Sequence, residues 1–155
     1  PQVLKEWFWN VFIVDALIGN WDRHNGNWGF LYDVDSDEMS LAPIFDCGSC
    51  LFPQADESIM RATLADKAEQ NLRTFSIPLS GIKINNSKIN CSKALKRILP
   101  RIDMVKINEM IDETPYITDL QKTFYKTMLA QRKEKILDFS LKKLRRRERE
   151  QQLAK

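Results

Sequence analysis

A helix-forming stretch runs into a polar loop and then into two short β-prone runs, and this succession constrains the chain more than any other feature. From Val3 to Ile18 the apolar residues recur at helical spacing. Leu4, Phe8, Val11, Asp15 and Ile18 share one face, with Trp7, Phe12 and Val14 beside it. Gly19-Asn20 ends that helix, as Gly or Asn does at many helix C-termini. Asp15 lies inside the apolar stripe, so it is either buried and bonded to the following loop or set at the stripe's edge. Residues 21–27 form a polar loop. A strand is expected over Trp28–Tyr32, a turn over Asp33–Glu38 and a returning strand over Met39–Phe45. Asp33, Asp35 and Asp37 mimic the start of a calcium loop. That loop requires Gly at its sixth position and Glu at its twelfth, where this chain has Glu38 and Ile44, so the three acids read as turn chemistry.

Beyond Pro53 the pattern turns helical. Asp56 is placed to cap a helix through about Ala65, and 66–72 continue with helical composition. Residues 76–92 are irregular, a two-stranded excursion or a surface loop. Ser92 caps a short helix that Pro100 stops, and 101–111 is helical until Thr114-Pro115. Thr118 caps a final helix, with Asp119 favouring its first turn. That helix is expected to run to about Glu150, with Leu120, Phe124, Met128, Leu129, Ile136, Phe139 and Leu144 as its inner face. The fold class predicted is mainly α with a small β-hairpin, in one domain spanning 1–155.

At 155 residues, 43% of them apolar and 29% charged, the composition is that of a soluble globular domain. No apolar run reaches the roughly 18 residues of a membrane span, and no signal-peptide pattern is read at the start, so no membrane partner is expected. The net charge of +3 is uneven. Residues 131–155 hold ten Lys/Arg against four acids, which makes that tail +6 and the remainder −3. A basic helical tail can meet nucleic acid or acidic protein. Glu148 and Glu150 dilute the cluster, so a solvated helix end is the expectation and direct nucleic-acid binding is not. Three cysteines, an odd number, argue against a disulfide framework and suit a reducing cytoplasm. Cys47 and Cys50 form a C-x-x-C and, with Cys91 and His24, count four zinc-type ligands. No second paired motif balances them, and no βαβ pattern gives the pair a thioredoxin-like setting.

The polar loop carries the chemistry. Asp22 is followed by Asn27 five positions on and by Asp46 after 24. Phosphoryl transfer needs an oriented acceptor, metal ions that neutralise phosphate charge, and exclusion of water. A carboxylate in a loop after a helix can orient or deprotonate a hydroxyl, which is the placement of Asp22. Magnesium takes hard oxygen ligands, one or two from side chains and the rest from phosphates and water, and Asn27 and Asp46 supply an amide oxygen and a carboxylate. The hairpin between them is the device expected to bring Asp46 back beside Asn27.

The stretch Leu17–Gly29, containing Asn20-Trp21-Asp22-Arg23-His24-Asn25-Gly26-Asn27, together with Ala42–Phe52, containing Pro43-Ile44-Phe45-Asp46, resembles the C-terminal lobe of HipA-like serine/threonine protein kinases, in particular their cell-translocating branch. The likeness is strong over residues 7–53. It implies a protein-kinase-like C-lobe with a catalytic loop over 20–28 and a metal-binding segment over 43–50. It also implies Asp22 as catalytic base, Arg23 and His24 as loop-shaping residues with Arg23 a candidate phosphate contact, and Asn27 and Asp46 as the Mg²⁺ ligands that hold ATP. The reaction implied is transfer of the ATP γ-phosphate to a hydroxyl on a protein substrate, the kinase itself included. The family further implies a bacterial cytoplasmic protein, with secretion into a host as an analogy, and an antitoxin-like partner. No glycine-rich phosphate loop and no strand-borne lysine precede Asp22, so an N-terminal kinase lobe is the missing partner. Two other readings stay open. One is a phosphoinositide-type lipid kinase, which shares Asp-Arg-His-x-x-Asn but follows it with Ile-Asp-Phe-Gly. The other is a non-catalytic binding lobe.

Overall fold

The computed structural model describes residues 2–76 and 88–154. Helix α1 (Gln2–Ile18) opens the chain and is its central element. It buries Trp9, Val11, Ile13, Ala16 and Leu17 together with the carboxylate of Asp15, which settles the two readings of that residue in favour of burial. Gly19 terminates the helix at φ 71°, a left-handed conformation that glycine adopts without steric cost, and the amides of Gly19 and Asn20 both donate to the Asp15 carbonyl.

The loop then leads into β1 (Phe30–Asp33) and β2 (Glu38–Leu41), an antiparallel pair in the register Phe30 to Leu41 through Asp33 to Glu38. Both strands are shorter than the sequence predicts. Trp28 and Gly29 precede the ladder, and residues 42–46 leave it after one further bond from the Ala42 amide to the Gly29 carbonyl. The turn is held as expected by an acid acting on backbone, with Asp33 Oδ1 accepting from the amides of Asp35 and Ser36.

Helix α2 (Glu57–Ala65) is capped by Asp56, whose Oδ1 accepts from the Ile59 amide at 2.8 Å. The predicted continuation is interrupted. Asp66 closes α2 and accepts from the Ala68 amide at the start of α3 (Lys67–Ser76). The expected irregular stretch over 76–92 falls largely on residues outside those described, but its last part is helical, because α4 (Lys88–Ile98) begins ahead of Ser92. A 3-10 turn at Leu99–Arg101 follows. Helix α5 (Met104–Glu113) then starts later than expected, capped by Asp103. Helix α6 (Asp119–Arg132) opens with the full reciprocal bond pair between Thr118 and Gln121. It continues through a π-helical segment, Lys133–Asp138, into α7 (Phe139–Leu153).

That π segment corrects one prediction. Phe139, expected on the inner face, is exposed, while Leu137 is buried. An i to i+5 turn contains one residue more than an α turn and so rotates every later position relative to the stripe before it.

Two apolar clusters result. The larger joins α1 to α4, α5 and α6 through Trp9, Ile13, Leu17, Ala94, Leu95, Ile111, Leu129 and Leu137. The smaller packs Met60 of α2 against Phe124 and Met128 of α6 with Phe52 between them. The basic tail is solvated along α7, as predicted, where no residue is buried. Its second residue, Arg132, is the exception: it is 1% exposed and donates from Nε to the Ala16 carbonyl at 2.9 Å and from Nη1 to the Thr74 carbonyl at 2.7 Å. Both carbonyls belong to the last turn of a helix, where backbone partial charge is negative. Burial pushes the Arg132 guanidinium down to about 10. Among the described residues, no helix is long and apolar enough to cross a membrane.

Candidate active site

The loop after α1 is organised by one guanidinium. Arg23 donates from Nε to Asp15 Oδ2 at 2.9 Å and from Nη2 to Asp15 Oδ1 at 3.0 Å, a bidentate pair with side chains 10% and 9% exposed. Its Nη1 donates to the carbonyls of Asn27 at 3.0 Å and Phe45 at 2.7 Å, and Nη2 also reaches Cys47 Sγ at 3.7 Å. All five N–H groups of the fork are therefore engaged. Its pKa is raised, first by the hydrogen bond to Asp15, so it is a permanent cation. In this arrangement Arg23 acts as a clamp on the loop.

The clamp explains what the hairpin alone does not. Because the ladder ends at Leu41, strand pairing does not reach Asp46. A single nitrogen that bonds both the Asn27 and Phe45 carbonyls ties the loop to the returning segment, so Asp46 lies next to a residue fixed against Asn27. Asp46 itself sits at φ 53°. Downstream, the Leu51 amide donates to the Ile18 carbonyl at 2.9 Å, which anchors the segment to the end of α1.

Asn27 is buried and Asp22 exposed. Asn27 Nδ2 donates to the Asp22 carbonyl at 3.0 Å, which leaves the amide oxygen as the free end of that side chain. The Asp22 amide donates to Asn20 Oδ1, and Asn20 Nδ2 donates to Asp15 Oδ1. Backbone on both sides of Asp22 is thus fixed, while among the described residues its carboxylate and that of Asp46 have no hydrogen-bond or ion-pair partner. His24 caps the short turn Asn25–Asn27, with Nδ1 accepting from the Gly26 amide at 3.0 Å. One amide oxygen and one carboxylate are hard donors, few enough to leave room for phosphate and water, and they fit magnesium better than a softer ion.

The zinc-type set does not assemble. Among the described residues no three His, Cys, Asp or Glu side chains converge on a metal position. Cys50 is pushed up to about 12 by burial and by neighbouring Cys47, and Cys91 is raised by burial alone. Two supporting residues went unrecognised in the sequence: Asn20, and Asp15 in its role as counter-ion to Arg23. The available signal was a carboxylate inside an apolar stripe, eight residues before an arginine, with Gly-Asn between them.

No protein-family model matches the chain. It is 49% identical to the serine/threonine-protein kinase CtkA of Helicobacter pylori (strain J99) over an alignment of 151 residues. That alignment covers 89% of this chain and 46% of that protein. The crystal structure of a Helicobacter pylori proinflammatory kinase CtkA superposes with a TM-score of 0.83 at 44% identity, covering 92% of this chain and 57% of that one. This chain is a close homologue of CtkA and has the fold of the matched part. It spans about half the length of the relatives it matches.

Proposed function

We propose that this chain is the catalytic-lobe portion of a HipA-like serine/threonine protein kinase, which transfers the ATP γ-phosphate to a protein hydroxyl. One observation carries the reading. The Arg23 clamp unites a loop that holds a free carboxylate, at Asp22, with a segment that holds a second one, at Asp46. The likeness to CtkA supports it.

In this reading Asp22 accepts the proton of the acceptor hydroxyl, oriented by a loop whose backbone is pinned on both sides. Asn27 and Asp46 hold magnesium, which when bound neutralises phosphate charge. Asp15, Asn20, Arg23 and His24 are positioning residues. The phosphate-covering loop and its lysine belong to an N-terminal lobe. Pro43 before Ile44-Phe45-Asp46, and a segment 47–60 with Asp56 and Glu57 but no Lys or Arg, favour a protein over a lipid acceptor.

The test is transfer of labelled γ-phosphate by the natural full-length chain beside its Asp22→Asn form. Incorporation should fall by about 10²–10⁴-fold in the variant with the unfolding midpoint unchanged. Equal incorporation removes Asp22 as the base. No incorporation by either, with both folded, replaces the enzyme reading with that of a binding lobe.

A further inference from the structure

Cys47 and Cys50 are not used by the phosphotransfer reading, yet they lie in the segment that directly follows Asp46. Cys47 is exposed, follows Asp46 directly and lies 3.7 Å from Arg23 Nη2. The Cys50 amide donates to the Cys47 carbonyl at 3.0 Å, closing a four-residue turn through Gly48 and Ser49. A turn closed in this way keeps its end Cα atoms within about 7 Å, and disulfides span Cα separations of about 4.4–6.8 Å. Gly48 leaves the turn uncrowded: a Cβ there would meet only Asp46 Oδ1, at 4.0 Å. The third thiol, Cys91 of α4, is partly buried against the larger core cluster.

We propose that Cys47 and Cys50 are a reversible oxidation site for hydrogen peroxide, and that bridging them removes Cys47 from the Arg23 clamp and loosens the loop. Cys47, the exposed member, attacks one peroxide oxygen. The O–O bond breaks, a sulfenic acid forms and water leaves. Cys50 sulfur then displaces the sulfenic oxygen, an S–S bond forms and a second water leaves. Both thiol protons end in water, the two sulfurs lose two electrons and the peroxide gains them. A sulfur committed to that bond and drawn towards Cys50 is a poorer acceptor for Arg23 Nη2, whose sister nitrogen holds the Asn27 and Phe45 carbonyls.

The test uses the reduced full-length protein treated with limiting peroxide. Mass spectrometry after alkylation should show the peptide with Cys47 and Cys50 unlabelled and two hydrogens lighter, restored by dithiothreitol, with Cys91 still labelled. Hydrogen exchange over residues 20–28 should quicken about threefold or more in the bridged protein, and Cys50→Ser should abolish both responses. Two labelled thiols after peroxide, a sulfinic acid at Cys47 without a bridge, or a bridge with unchanged exchange in 20–28 each overturns the proposal. Neither readout needs nucleotide, so failure of the kinase reading is separate.

Discussion

Two arginines meet the end of α1 and do opposite things. Arg23 binds the Asp15 side chain, and Arg132 binds the carbonyl of the next residue, Ala16. Arg23 faces a carboxylate with both oxygens engaged, and its pKa rises. Arg132 is buried against carbonyls, and its pKa falls. Among the described residues no carboxylate pairs with Arg132, and residues 77–87 contain no Asp or Glu that could. The helix ends of α1 and α3 therefore supply its negative charge, spread over peptide dipoles. The first arginine organises a loop, where a strong directional pair can be set at the edge of solvent. The second locks three helices, where the same carbonyls also gain a donor they would otherwise lack. Charge pairing positions the chemistry, and backbone satisfaction holds the scaffold.

The contrast can be broken by substitution. Arg132→Ala has the largest expected effect on stability. It leaves two buried carbonyls unpaired and a cavity behind, a loss of about 3–5 kcal/mol in urea unfolding. The pH dependence sharpens this point. A base with a depressed pKa binds fewer protons folded than unfolded, but only above its folded value of about 10. Between pH 6 and 9 Arg132 is charged in both states, so the loss should be flat across that range. A loss that changes steeply there would mean that a titrating group compensates Arg132 instead of the helix ends.

Asp15→Asn should cost less, about 2–3 kcal/mol, because a polar side chain still accepts from Arg23 although the charge is gone. Phosphate transfer by the full-length chain should nevertheless fall sharply, since the clamp loses its anchor. Retained transfer with lowered stability would show that the loop and the returning segment hold together without it. At the small end, Glu148→Ala removes an ion pair with Lys96 whose side chains are 42% and 45% exposed. Its expected effect is below about 1 kcal/mol in the same unfolding assay.

What the sequence disclosed follows the range of the interaction. Asp56 and Thr118 cap helices by bonding amides within three residues, so both starts were legible. The acid-rich turn was legible for the same reason. Asp22, Asn27 and Asp46 were legible as a pattern, but how Asp46 returns was not. The ladder stops early, and the closing bond comes from Arg23, 22 residues from Phe45. Arg132 was hidden among other basic residues, and its partners are 58 and 116 positions away. The displaced Phe139 depends on a π turn, which leaves no mark in residue spacing.

The hairpin's role changes once closure is assigned to its base. Since Arg23 and the bond from Ala42 to Gly29 fix where the two arms begin and end, the tip at Asp35–Asp37 need not hold any set length. Closure entropy grows only slowly with added residues. The tip is accordingly a natural graft point, where a reporter peptide or an affinity tag can be spliced in without moving the loop that carries Asp22.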